Sequence, residues 1–267
     1  MASRSALNLV DLGSTCLLYQ LRLEEALHRL ARGNYLVLNR AAPTESSIVL
    51  GTSGVVSELV NEHNAYGDRV RLIRRYTGGG TVFVDRNAIM ISFIMGGLFQ
   101  PTPSPRAIMN WSSDFYRDVF RRCSSSEFLL VDNDYCFEDK KFGGNAQTIS
   151  GQRWVHHSSL LWDVNHAAMA SYLRAPRRQP KYRQLRNHHE FLCGMKEHID
   201  GDRDKFEQAF LQTLMERFDV VQTPAESIAD VMHEEHRRAT SELFLQPSSV
   251  EDGRQHAVNQ CVVMTQE

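Results

Sequence analysis

Two glycine-rich segments of this 267-residue sequence place basic side chains beside backbone that carries no side chain. Residues 74–85 read RRYTGGGTVFVD, and residues 140–147 read KKFGGNAQ. Glycine weakens a strand interior, so its clustering between β-forming residues indicates backbone that approaches a ligand closely. Backbone N–H groups and the nearby Arg74, Arg75 and Lys141 would bind a phosphate or a carboxylate.

Each segment taken alone also has an ordinary structural interpretation. Glycine triplets form hairpin turns and bulges, and paired basic residues are commonly solvated. Because the two segments share one pattern, we favour a ligand site. Lys141 stands directly before GGNAQ, where its ammonium would neutralise a phosphoryl oxygen or polarise an acyl carbonyl. Lys140 is expected to point to the opposite side of the strand.

Composition restricts the function classes. The net charge of -2 disfavours general nucleic-acid binding. The longest apolar stretch, residues 88–99, is too short for a membrane-spanning helix, so no membrane partner is expected. The five cysteines are widely spaced, which favours a reducing intracellular compartment. Neither a P-loop nor a GxGxxG motif is present.

Other reactive residue types have weaker patterns. The HEEH segment at 233–236 spaces its histidines three apart, unlike the HExxH zinc motif. His156 and His157 are adjacent on a predicted strand, so only one of them would face a given side of the sheet. Cys136 could be a nucleophile beside Lys140 and Lys141, but burial as a small apolar residue is the favoured interpretation.

Hydrophobic periodicity predicts an α+β fold in which helices pack on a mainly antiparallel sheet. A core-facing helix is predicted over residues 17–31, followed by short β-rich runs assigned to one sheet. Residues 247–267 are expected to be a polar tail, and residues 1–16 an N-terminal segment with a weak resemblance to a targeting signal. The body, residues 17–246, is expected to be one domain. Further helices are predicted at residues 105–123, 165–173, 203–218 and 225–243.

Three motifs in order resemble those of the lipoate-protein ligase A family, within the biotin/lipoate ligase superfamily. RRxSGGGxVFxD appears at residues 74–85 with Thr77 in place of serine, and NDxxxxxxKxxGxA runs from Asn133 to Ala146. The HHGTLL strand appears as HHSSLL at residues 156–161. The resemblance extends from about residue 17 to about residue 186 and is nearest to the plant-type eukaryotic branch.

The resemblance implies a class II synthetase-like catalytic domain of mixed sheets with packed helices. It implies that lipoate and ATP, with Mg²⁺, form lipoyl-AMP and pyrophosphate. The lipoyl group would then pass to a lysine of a lipoyl domain, in the E2 subunits of 2-oxoacid dehydrogenase complexes or in the glycine cleavage H protein. No covalent enzyme intermediate is implied.

The resemblance also assigns site residues, with Lys141 as the catalytic group and Asp134 as a metal ligand. The nucleotide would be bound by Arg75, Gly80, Thr81, Val82, Phe83, Asn133, Asp134, Lys141 and Ala146. Lipoate would be bound by Gly78, Gly79, Lys141 and His157.

Two departures from the family pattern leave alternatives open. Ser158 replaces the glycine of HHG and is expected to alter the fit of the acyl chain. Only about eighty residues follow Arg186, fewer than an accessory domain needs. Adenylation would then depend on a separate accessory chain, or the protein would be a lipoyl or octanoyl transferase that uses a preformed donor.

Two further alternatives are disfavoured. A biotin ligase lacks support because GRGRxGR and KWPND are absent. A lipoyl- or nucleotide-binding regulatory module would not need Lys141. The predicted compartment is mitochondrial, with the cytoplasm as the alternative.

Overall fold

A computed structural model describes residues 4–40, 45–97, 102–175 and 179–245. The polar tail predicted for residues 247–267 lies outside the described residues, as do residues 1–3. The strands are β1 Ser5–Asp11, β2 Tyr35–Asn39, β3 Ser47–Leu50, β4 Arg71–Arg74, β5 Val82–Val84, β6 Ala88–Gly96, β7 Phe128–Val131, β8 Asp134–Phe137, β9 Lys140–Ser150, β10 Arg153–Leu161, β11 Phe218–Gln222 and β12 Ser241–Leu243. The α-helices are α1 Leu17–Leu30, α2 Val56–Leu59, α3 Glu62–Gly67, α4 Pro105–Cys123, α5 His166–Tyr172, α6 His188–Phe191 and α7 Arg203–Arg217. Short 3₁₀ helices span Lys181–Arg183, Met195–Glu197 and Ala225–Met232.

Eight strands form the larger sheet, in the order β11-β1-β2-β6-β10-β9-β8-β7. The pairs β1–β11 and β1–β2 are parallel, and the remaining pairs are antiparallel. β9 and β10 form a hairpin across Gly151, whose φ of 57° suits glycine. β6 is buried along nearly its whole length because helices cover both faces of the sheet.

Two helices cover one face of this sheet and α1 covers the other. α4 begins at a favourable cap: the Ser104 side chain accepts a hydrogen bond from the backbone N–H of Ala107 at 3.2 Å, and Pro105 follows in the first turn. α4 and α7 bury an aromatic-rich core against the sheet. On the opposite face, Leu23 and Leu27 of α1 pack with buried residues of β1, β2, β6 and β10.

The smaller sheet has the strand order β12-β4-β3-β5. One of its faces packs with α1 and the start of β6, and the other packs with α5 and α6. The prediction that the strands between residues 35 and 96 share one sheet is therefore wrong. β2 pairs with β1 and β6, whereas β3 pairs with β4 and β5, so the two groups belong to separate sheets.

Two local features differ from the sequence expectations. The segment from 5 to 11 was expected to precede the domain, yet it forms β1 with a partner strand on each side. Residues 225–243 were predicted to be helical but form a 3₁₀ helix and then β12, because the Glu25 carboxylate accepts the N–H groups of Ala239 and Thr240. The glycine triplet lies in the loop between β4 and β5, in agreement with its predicted place between two β-forming segments.

The α+β prediction with mixed, mainly antiparallel sheets is confirmed. Across the described ranges, we find no helix that combines the length and the apolar character needed to cross a bilayer.

Candidate active site

A cavity of about 480 Å³ lies where α1, both sheets and the first turns of α4 meet. The structure brings all but two of the predicted site residues to this cavity. One exception is Phe83, whose side chain is buried in the core of the smaller sheet with Ile48 and Leu72. The other is Arg74, which was predicted to bind a phosphate or a carboxylate but donates its Nη1 hydrogen bonds to the carbonyl oxygens of Gly51 and Gly54 instead. The predicted residues that line the cavity are Arg75, Gly78, Gly79, Gly80, Thr81, Val82, Asn133, Asp134, Lys141, Ala146 and His157.

The glycine loop, residues 77–81, is shaped by Arg75. The buried guanidinium donates to the carbonyl oxygens of Gly78 at 2.7 Å and Gly80 at 2.8 Å, and its Nε donates to the hydroxyl of Thr77 at 3.0 Å. Burial lowers the pKa of Arg75 to about 10, so the group stays charged at neutral pH. Arg75 thus stabilises the glycine loop through these hydrogen bonds. Its contact with a nucleotide stays a prediction.

Glycines are required at two points where the loop makes close contacts. Gly79 has φ of 99°, and a Cβ there would lie 2.8 Å from Nη2 of Arg75. A Cβ on Gly51 would lie 2.3 Å from the carbonyl oxygen of Gly79. The backbone at Gly51 therefore packs directly against the backbone of the glycine loop. At Gly78 and Gly80 a Cβ would meet nothing within 4 Å. The two glycines therefore leave open space at the cavity wall.

Lys141 lines the same cavity as the glycine loop. Nζ lies 2.7 Å from Oδ1 of Asp134, and the side chain is 23% exposed. Gly144 gives the lysine room, because a Cβ at that position would lie 3.2 Å from Nζ. Lys140 is exposed and does not line the cavity, in agreement with the predicted difference between the two lysines.

His157 joins the cavity to a buried polar chain of hydrogen bonds. Its Nε2 lies 3.2 Å from the Thr77 hydroxyl, and its Nδ1 lies 3.0 Å from Oε2 of Glu24. Glu24 is fully buried and also accepts hydrogen bonds from Ser92 at 2.6 Å and Gln20 at 2.8 Å. The ring of His157 therefore bridges the Glu24 carboxylate and the Thr77 hydroxyl.

His156 and Ser158 lie on the other face of β10. His156 Nε2 is 2.7 Å from the hydroxyl of Tyr135, and burial lowers the pKa of His156 to about 3, so this ring is neutral. The Ser158 hydroxyl lies 3.4 Å from the same nitrogen. The expectation that Ser158 changes the acyl pocket is wrong, because strand alternation turns it away and Ser159 lines the cavity instead.

Cys136 is buried beside the site and does not line the cavity. Burial raises the pKa of its thiol to about 11, and its Sγ lies 3.5 Å from the Tyr182 hydroxyl. A protonated thiol is a weak nucleophile, which agrees with the structural interpretation of Cys136.

A family model for the lipoyl protein ligase A/B catalytic domain matches residues 17–215. The chain belongs to this family. The resemblance drawn from the three motifs is thereby confirmed at the family level, and the plant-type branch stays a prediction.

Relatives and solved structures of ligases resemble the chain over different lengths. An inactive lipoate–protein ligase 2 of Plasmodium falciparum is 26% identical over 198 residues, which is 62% of this chain and 50% of that protein. A probable lipoate-protein ligase A of Mycoplasma pneumoniae is 27% identical over 158 residues, 58% of this chain and 44% of the other. The chain thus spans half or less of the curated relatives it matches.

Solved ligase structures have the same fold. A lipoate-protein ligase A bound with ATP gives a TM-score of 0.68 at 18% identity, covering 88% of this chain and 96% of that one. A bi-partite lipoate protein ligase of Thermoplasma acidophilum, solved in a study of its lipoylation system with an E2 lipoyl domain, gives 0.69 at 18% identity, covering 88% and 94%.

The cavity of this ligase-family chain suits an anionic ligand with an apolar part better than it suits a metal bound by protein alone. The open wall at Gly78 and Gly80 and the Lys141 ammonium fit a phosphate. Over the ranges that the structure describes, no three His, Cys, Asp or Glu residues are grouped to hold a metal ion. Asp134 could supply one carboxylate ligand to Mg²⁺, which would need its other ligands from a bound phosphate and from water.

The apolar part of the lining and the Glu24 chain were missed in the sequence. Leu21, on the predicted helix, was assigned to the core, and Val49, Met90 and Met109 carried no motif. Glu24 had a usable signal, because it lies three residues after Leu21 and therefore on the buried face of α1.

Proposed function

We propose that this chain activates lipoate with ATP to form lipoyl-AMP and transfers the lipoyl group to a lysine of a lipoyl domain. The observation that supports this best is the position of Lys141. Its ammonium lies on the same cavity as the open glycine wall and as the apolar side chains of Leu21, Val49 and Met90. One cation can therefore face both the phosphate and the acyl end of a mixed anhydride.

In the first step a lipoate carboxylate oxygen attacks the α-phosphorus of ATP, and pyrophosphate leaves. In the second step the acceptor lysine amine attacks the acyl carbon, AMP leaves with the bonding electron pair, and the amine loses a proton. Lys141 would offset negative charge on phosphate and carbonyl oxygens in both steps. The site contributes further by holding two reactants in one geometry.

Each ligand has a proposed position in the cavity. The aliphatic part of lipoate would lie against Leu21, Val49 and Met90, with His157 beside it. The nucleotide would lie along the glycine loop from Gly80 and against Asn133 and Asp134. Mg²⁺, when bound through Asp134, would neutralise phosphate charge.

A second candidate is transfer without autonomous adenylation. A ligase in two parts exists among the structural neighbours, in the bi-partite enzyme of Thermoplasma acidophilum. Under this proposal an accessory chain supplies the adenylation function, or a preformed lipoyl or octanoyl donor is used.

A binding module without activity is the third candidate, since one relative is described as an inactive ligase. Retention of Lys141 with a paired Asp134 in an open cavity argues for activity. The proposed acceptors are the lipoyl domains of E2 subunits and the glycine cleavage H protein, and a mitochondrial compartment stays a prediction.

The test is incubation of the chain with ATP, Mg²⁺, lipoate and an apo lipoyl domain, with pyrophosphate and the mass of the domain followed separately. Self-sufficient ligation predicts pyrophosphate release and a lipoyl mass increase. A mass increase only with synthetic lipoyl-AMP supports the transfer candidate. No mass increase with either donor, together with measurable lipoyl-AMP binding, supports the binding module.

A further inference from the structure

Tyr182 contacts the carboxylate that holds Lys141. The Tyr182 hydroxyl donates to Oδ2 of Asp134 at 2.8 Å, while Oδ1 of the same carboxylate lies 2.7 Å from Nζ of Lys141. Both oxygens of Asp134 are thereby engaged, one by the lysine and one by the tyrosine. Tyr182 itself does not line the cavity, so its route to the site is through Asp134.

Tyr182 is held firmly enough to orient its partner. Its ring packs against Phe191 with centroids 5.2 Å apart, and its carbonyl oxygen accepts a hydrogen bond from Nη2 of Arg186 at 3.0 Å. Arg186 is anchored in turn on the carboxylate of Asp139 at 2.7 Å. The hydroxyl also lies 3.5 Å from Sγ of Cys136, the residue that opposes Lys141 across β8 and β9.

The same stretch of chain also fixes the backbone of Lys141. The N–H of Cys193 donates to the carbonyl oxygen of Lys141 at 3.0 Å, and Leu192 forms a parallel bridge with Lys141. Residues 181–193 therefore hold the lysine at its main chain directly and at its ammonium through Tyr182 and Asp134.

We infer that Tyr182 is a positioning residue that fixes the direction of the Lys141 ammonium through the carboxylate of Asp134. The inference rests on the proposed function for its catalytic consequence. A carboxylate bonded at both oxygens cannot rotate without breaking a hydrogen bond, so the ammonium is held at one place on the cavity wall. Removal of the tyrosine hydroxyl frees the carboxylate and lets the lysine sample other directions.

The first test needs no catalysis and compares the two adjacent lysines. The purified chain is treated briefly with an acetylating reagent, and modification of Lys141 relative to Lys140 is measured by fragmentation mass spectrometry. An ammonium held by a carboxylate reacts slowly, so Tyr182→Phe is expected to raise the ratio about threefold or more, the scale of a weakened charged hydrogen bond. An unchanged or lower ratio overturns the proposal.

Tyr172→Phe is the matched control. Its hydroxyl also donates to an aspartate, Oδ2 of Asp68 at 2.9 Å, but this pair lies away from the cavity. The control is expected to leave the ratio unchanged. An equal rise in both variants would mean general loosening of the fold and would overturn the specific role of Tyr182.

The second test measures pyrophosphate release. Tyr182→Phe is expected to lower kcat about tenfold with the KM for lipoate little changed, because the tyrosine does not touch the acyl lining. In an Asp134→Asn background the same substitution should have almost no further effect, since its route to Lys141 is already broken. Full additivity of the two changes, or a change in KM alone, overturns the proposal.

The two tests separate the inference from the proposed function. If the unmodified chain neither releases pyrophosphate nor transfers a lipoyl group, the proposed function fails while the labelling ratio still decides the role of Tyr182. If the chain is active and the ratio does not respond to Tyr182→Phe, the positioning role fails alone.

Discussion

The Nδ1 atom of His157 lies 3.0 Å from Oε2 of Glu24, a carboxylate that is fully buried on the inner face of α1. Two further donors, Ser92 and Gln20, complete its surroundings. The cavity wall at His157 thus depends on a carboxyl group that solvent does not reach. Its stability follows from having a partner for each oxygen.

Glu24→Ala is expected to lower the free energy of unfolding by about 3 kcal/mol, because it leaves His157, Ser92 and Gln20 without their shared acceptor. Chemical denaturation followed by circular dichroism measures the change. Glu234→Ala, at an exposed position, serves as the control and should have little effect. A loss below about 1 kcal/mol for Glu24→Ala would contradict a structural role for the Glu24 side chain.

Lys141→Ala is expected to reduce both pyrophosphate release and lipoyl transfer from lipoyl-AMP by at least about 100-fold, the scale of losing one charge-stabilising group. Lys140→Ala removes the neighbouring lysine, which is exposed and outside the cavity, and should leave both rates unchanged. The two rates are measured separately with the same lipoyl domain. Near-normal transfer by Lys141→Ala would remove the lysine from the second step.

Gly79→Ala and Gly78→Ala should separate folding from binding. The first places a Cβ 2.8 Å from Nη2 of Arg75 at φ of 99°, so a loss of about 2 kcal/mol in unfolding free energy is expected. The second places a Cβ in open space at the cavity wall, so stability should hold while lipoyl-AMP affinity falls. Thermal unfolding with and without lipoyl-AMP measures both. Equal stability losses would refute the distinction.

Stability is expected to fall on acidification from pH 6.5 towards pH 4. Burial lowers the pKa of His28 from 6.5 to about 4, so in this window the unfolded chain binds a proton that the folded chain excludes. His28→Phe should remove about 3 kcal/mol of that pH dependence. His156, with its pKa lowered to about 3 by burial, contributes in the same direction, as do His166 and His188, whose pKa values burial also lowers. Denaturation curves at pH 7 and pH 4.5 test this, and an unchanged difference between them would argue against a neutral buried His28.

Removal of residues 1–11 is expected to destabilise the whole sheet, because β1 pairs with both β2 and β11. The truncated chain should unfold at a lower temperature or lose its near-ultraviolet circular dichroism signal. Removal of residues 1–3 alone leaves β1 intact and serves as the control. A truncated chain with the stability of the full chain would show that β1 contributes nothing to the fold.

Local patterns predicted most of the elements and most of the cavity. Helical spacing identified α1, α4 and α7 within a residue or two, and the motifs led to Arg75, Gly78, Asp134 and Lys141 at one cavity. These residues were recognisable because clustered glycines and charged side chains beside a strand contribute little to the stability of a fold, so that their presence indicates a ligand site. Strand alternation likewise separated His157 from His156.

What the sequence could not predict depends on contacts between distant residues. The division into two sheets depends on which strands pair with each other, and the sequence of a single strand does not specify its partners. Residues 225–243 have a helical sequence pattern. The Glu25 carboxylate nevertheless accepts hydrogen bonds from the N–H groups of Ala239 at 2.9 Å and Thr240 at 2.8 Å, which holds this part of the segment out of a helix. The apolar wall from Val49, Met90 and Met109 carried no signal, since such residues are ordinary core residues.

The parallel pairing of β1 with β11 joins Ser5 to Phe218 and Leu9 to Gln222. A chain leaving the ribosome therefore presents β1 with one edge unpaired until more than 200 further residues have been synthesised. The cavity residues are all translated before that edge closes. During synthesis the nascent protein thus holds every group of its site while its sheet remains open to pairing with another chain, a period in which a chaperone would protect it from aggregation.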